Sequence, residues 1–164
     1  MAMGLRVSPR LLQPFLFSPL VGLLVVTANC QAPEYEVLRE PKPVERKALA
    51  EKFVAERLKL WQHRLNLEGW KIRANLVRAA DLRPGTLGNI RWDANKRQAT
   101  IKVMRVEEYP VPLHTMLDDM EFTIVHELLH LELSALPRSE ASRSDEEHTI
   151  NRLTKSLIKL ERGY

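Results

Sequence analysis

The chain has 164 residues, 45% hydrophobic and 28% charged, which leaves room for one domain with a sizeable core and hardly for two. Its formal charge of +4 is scattered along the chain, not gathered in runs, so no nucleic-acid role is expected. The single cysteine, Cys30, excludes an intramolecular disulfide.

Residues 1–30 differ in composition from the rest. A short basic start with Arg6 and Arg10 leads into residues 11–28, which carry no charge, and then into small residues around Ala28 and Ala32. This is the layout of a secretory signal peptide, so the protein is expected to be exported to a periplasmic or extracellular location. The alternative is an uncleaved membrane anchor, which Gln13, Pro14 and Pro19 disfavour as a spanning helix. Cys30 stands where a bacterial lipoprotein carries its lipidated cysteine, although Asn29 replaces the usual small residue before it. Any membrane association is therefore expected only through this N-terminal segment.

Residues 31–43 contain Pro33, Pro41 and Pro43 without periodicity and read as a linker. Residues 44–164 form the predicted domain. Its first helix places Leu49, Phe53, Leu60 and Trp61 on one stripe and stops by Gly69. The period then changes to alternation in three stretches: "WKIRANLV", "LGNIRWD" and "QATIKVM". "DANKR" between the last two is a turn signal, so these two strands are expected to pair as a hairpin. After the proline-broken "EEYPVPLH", a second helix begins near Thr115 or Asp118 and ends before Pro137. It is apolar nearly all round, as a helix at the centre of a domain would be. A last amphipathic helix turns Ile150, Leu153, Leu157 and Leu160 inward. The sum is an α+β domain with a small, mainly antiparallel three-stranded sheet. The chain shows no internal repeats, and Trp61, Trp70 and Trp92 read as core.

The second helix holds "HELLH", His126 to His130. Side chains at i and i+4 share a helix face, about 6 Å apart along the axis, so both imidazoles can turn to one ion. Glu127 is rotated about 100° from His126, placed to reach a water on that ion without ligating it. Burying two imidazoles and a carboxylate in an apolar helix costs on the order of several kcal/mol unless they are paired. The bland reading has each histidine bonded to a backbone carbonyl; one zinc ion per chain satisfies all three groups together. A catalytic zinc takes three protein ligands and keeps a position open. Leu133 and Leu136 stand where HExxHxxGxxH would need Gly and His, so the third ligand must come from the last helix. Its candidates are Asp145, Glu146, Glu147 and His148. Glu147 is preferred because Asn151, one turn on, could hold a histidine ring from behind. Its competing role is a capping box with Ser144, and Glu146 points toward the apolar stripe.

"HELLH" followed by "EHTIN" resembles the gluzincin zinc metallopeptidases, in which HExxH is completed by a glutamate in ExxxD. The likeness covers about residues 98–160 and is to minimal versions of that fold. Asn151 departs from the usual aspartate, keeping the hydrogen bond and losing the charge. The resemblance implies a peptide or protein substrate, Glu127 as general base, and a strand along the cleft that pairs with the extended substrate. Gln98–Met104, the last strand before the zinc helix, is the segment in that place. Tyr109 and His114, just before the helix, are candidate donors to the transition state, though ordinary loop roles suit both. His63 reads as solvated. Two other classes stand beside the peptidase: a non-catalytic zinc-binding regulatory or assembly module on the same frame, and an adaptor without metal.

Overall fold

The computed structural model describes residues 40–136 and 143–163. The expected leader, Cys30, most of the linker and the Pro137 helix stop lie outside the described residues. Helix α1 spans Pro43–Arg64, strands β1, β2 and β3 span Lys71–Val77, Gly88–Asp93 and Gln98–Met104, and helices α2 and α3 span Leu113–Glu132 and Arg143–Arg162. The element order expected from the sequence is therefore present in an α+β arrangement. Among the described residues no helix is long and apolar enough to cross a membrane.

The sheet corrects two expectations. Its order is β1-β3-β2, with β3 parallel to β1 and antiparallel to β2, so it is mixed and not mainly antiparallel. The hairpin is there, closed by a turn in which Arg97 takes φ 48°. The long connection through Ala79–Asp81 and on to Gly88 carries the chain across the sheet, which lets β1 dock on the far side of β3. Alternation reports which face a residue takes and says nothing of strand direction. Consequently β3 is paired on both sides and offers no free edge; the outer strand on the side of the cavity is β2.

Helix α2 lies at the centre. Met116, Met120, Ile124, Val125 and Leu128 are fully buried against Ala99, Ile101 and Val103 of β3, α1 and α3. Helix α1 presents Ala50, Val54, Leu58 and Trp61, while Leu49 is exposed, so the buried stripe is rotated from the expected one. Rotation is set at Trp61, whose indole Nε1 donates to Glu121 Oε1 at 2.9 Å, and small Ala50 permits the close approach. The helix ends at Leu65 with Asn66 in the left-handed region at φ 53°, before the expected Gly69. Helix α2 begins at Leu113, ahead of both expected caps. Its first free N–H is met by the Glu40 carboxylate at 3.2 Å, an anion at a helix N-terminus. In α3, Ile150, Thr154 and Ile158 face inward, whereas Leu153 and Leu160 are exposed. Helix α3 packs chiefly on α2, so the buried stripe is narrow, and Arg162 pins its end to Asp118 and Glu121 at 2.7 and 2.8 Å.

Candidate metal centre

His126 and His130 sit one turn apart on α2, with their Nε2 atoms 3.1 Å from each other. Glu147, in the first turns of α3, places Oε2 at 3.3 Å from His126 Nε2 and Oε1 at 3.2 Å from His130 Nε2. The edge of a tetrahedron with metal–ligand bonds of 2.0–2.1 Å is about 3.3 Å, so these separations suit three ligands of one zinc-sized ion. The donor set also fits. Two imidazoles and a carboxylate, all turned to one point, are a ligand set that zinc takes in hydrolytic sites. Burial and the nearby His130 push the His126 pKa down, with Glu147 and Asn151 opposing, which favours the neutral ring a metal requires.

The four sequence candidates on α3 separate clearly. Glu147 faces both ring nitrogens. Glu146 lies behind them, its Oε1 3.3 Å from His130 Nδ1, where it can orient the ring and raise its basicity. The carboxylates thus take different places and do not compete. Asp145 and His148 are exposed and do not line the cavity. Asn151 lies against His126, as expected, while the buried His126 Nδ1 forms no hydrogen bond of standard geometry. Both Nε2 atoms face each other and the Glu147 carboxylate, which counts against the reading of two ordinary core histidines.

Glu127 is 8% exposed and looks into the same cavity of about 580 Å³. Burial pushes its carboxyl up to about 7; the Glu147 charge adds to this, and the Ile90 N–H and Arg83 oppose it. A carboxylate poised near neutrality is suited to take and return a proton. The Ile90 contact fixes the orientation of β2. Leu87 C=O accepts from Met104 N–H at 2.8 Å, so odd-numbered residues of β2 turn their main chain toward β3. Gly88, Ile90 and Trp92 turn theirs away, toward the cavity. This corrects the placement of the cleft strand on Gln98–Met104: β3 runs through the middle of the sheet, and β2 is the outer strand that lines the cavity.

The transition-state candidates are not at the site. Tyr109 is buried in the core, its hydroxyl pKa raised first by burial and then by Asp119, and it does not line the cavity. His114 is exposed on the first turn of α2 beside Thr115, more than three helical turns before His126. Sequence reasoning passed over Arg83, Gly88 and Ile90, all of which line the cavity. The one available signal was glycine inside an alternating run, which marks a close backbone approach. Comparison of the chain with protein-family models, curated proteins and solved structures gives no match, so the assignment of this centre rests on its own geometry.

Proposed function

We propose that the chain is a zinc-dependent peptidase with a reduced zincin-like fold, acting outside the cytoplasm if residues 1–30 direct export. The observation that carries the reading is the convergence of His126, His130 and Glu147 beside a buried, cavity-facing Glu127. A zinc ion held by those three residues would supply Lewis acidity, lowering the pKa of a water and polarising an amide carbonyl. Glu127 then accepts a proton from that water as its oxygen adds to the carbonyl carbon. The same carboxyl returns the proton to the amide nitrogen as the C–N bond breaks, leaving an acid and an amine. Glu146 holds the His130 imidazole from behind, and Asn151 lies against the His126 ring. Strand β2 borders the cavity and could lie alongside an extended peptide, a mode of recognition that tolerates many sequences.

The test compares the zinc-loaded chain with Glu127→Gln on an unstructured protein substrate. Retained zinc with hydrolysis lost by about a hundredfold or more supports the reading. Zinc bound equally and no hydrolysis by either protein would instead identify a zinc-binding module without catalysis.

A further inference from the structure

The sheet has a second outer strand, β1, at the edge opposite β2 and the cavity. Lys71 donates its N–H to the Arg97 carbonyl and Val77 accepts from the Arg105 N–H, both at 2.8 Å, so odd-numbered residues of β1 turn their main chain to β3. Ile72, Ala74 and Leu76 turn theirs outward, where the described residues give them no hydrogen-bond partner. The side chains of the same three are only half-buried, while Ala99, Ile101 and Val103 beside them in β3 are buried. Neither a proline nor a bulge guards this edge. Between β1 and α1 runs a groove of about 800 Å³, and the exposed Glu51, Ala55 and Lys59 lie along it in one row at i, i+4 and i+8. Glu51 has a loose contact with Lys47 at 3.9 Å, and Lys59 has no acidic partner among the described residues.

We propose that a second copy of this chain pairs with this edge, β1 against β1 and antiparallel, about a two-fold axis at Ala74. The edge is complementary to itself, which points to a copy and not to an unrelated strand. With Ala74 opposite Ala74 of the second copy, every outward N–H and C=O of Ile72, Ala74 and Leu76 finds a partner. Ile72 then lies opposite Leu76 of the second copy, and the two half-buried apolar side chains cover each other. On the other face Arg73 meets Asn75 and Lys71 meets Val77, so no like charges are opposed. An axis at Ile72 would instead set Lys71 against Arg73 twice, and an axis at Leu76 would run past the end of the strand. Helix α1 repeats the pattern. The same symmetry turns its row antiparallel to that of the second copy, so Glu51 meets Lys59 in both directions across the small Ala55. The cavity lies at the opposite edge, by β2, so the pairing leaves it open, and the inference stands apart from the peptidase reading.

Sedimentation equilibrium of the full chain between about 1 and 100 µM measures the association. The expected result is a reversible equilibrium of monomer and dimer with a Kd in the micromolar range. Glu51→Lys and Lys59→Glu should each weaken it about tenfold, because each sets like charges across the axis twice. The two substitutions together exchange the charges and should restore association to within about threefold of the wild type. Ala74→Pro removes one outward N–H, leaves the bonds to β3 in place and should keep the chain monomeric. The charge variants lie on an exposed helix face and decide the question if Ala74→Pro does not fold. A chain that stays monomeric at the highest concentration, an association that the single charge reversals leave unchanged, or a loss that the double variant does not restore would each overturn the proposal.

Discussion

Gly88 lies so close to Thr123 that a Cβ atom on it would fall 2.3 Å from Thr123 Cγ2 and 2.6 Å from the Lys102 carbonyl oxygen. This contact sets the distance between β2 and α2, and with it the reach from the Ile90 N–H to Glu127. Thr123 is held in turn, its hydroxyl donating to the Asp119 carbonyl at 2.8 Å. Gly88→Ala should therefore force the strand from the helix. The expected cost is about 1–3 kcal/mol of stability, read by denaturant unfolding. Hydrolysis should fall by more than the folded fraction does. A variant as stable and as active as the wild type would show that the approach of strand and helix does not matter.

The two glutamates at the start of α3 should fail in different ways. Glu147→Ala removes a ligand, and zinc should be lost to a chelator that the wild type resists. Glu146→Gln leaves the ligands in place and weakens only the support of the His130 ring, so affinity should fall about 10–100-fold. Chelator competition with a coloured zinc indicator orders the three proteins. If Glu146→Gln loses more zinc than Glu147→Ala, the assignments are exchanged.

The motif on α2 was legible because its chemistry is local: i and i+4 on any helix point the same way. Glu147 and Asn151 were legible for the same reason, once α3 was expected to pack on α2. What was hidden depends on pairing across distance. The parallel join of β1 to β3 leaves no mark on either strand, since both alternate as an antiparallel pair would. The inward faces of α1 and α3 were misjudged by following the largest apolar residues, Leu49, Leu153 and Leu160. The helices are instead turned by polar contacts, Trp61 and Arg162 to Glu121, whose partners lie 60 and 41 residues away. Arg83 shows no pattern of its own, and only the fold brings it to the cavity.

Glu121 joins the three helices through a 1% exposed carboxylate that accepts from Trp61 and Arg162 and lies 3.6 Å from Arg57. Removing one partner of a buried, hydrogen-bonded charge is the damaging change. Arg162→Met should cost about 1–3 kcal/mol, since Trp61 and Arg57 still face the carboxylate. Trp61→Phe should leave one oxygen without its buried donor, at about 1–3 kcal/mol. The two together should cost more than the sum of the singles, because each single variant still has the other partner for the charge. Additive losses in urea unfolding would show that Glu121 is satisfied by solvent instead.

Protonation at the centre should make the metal-free protein respond to pH in a way that one substitution reverses. The Glu127 carboxyl, ordinarily at 4.5, titrates at about 7 in the fold, chiefly because burial disfavours its charge. Between those values the folded chain holds a proton that the unfolded chain has released, so stability from this group falls as pH rises from 4.5 to 7. His126 acts in the opposite sense. Its pKa is lowered, so stability falls as pH drops below 6.5, where the unfolded ring takes a proton more readily. Glu127→Gln removes the first effect and keeps the second. With zinc chelated, the variant should match the wild type near pH 4 and exceed it at pH 8 by on the order of 2–3 kcal/mol. Denaturant unfolding at the two pH values measures the difference. A gap of the same size at both would mean that Glu127 ionises in the fold as freely as it does in water.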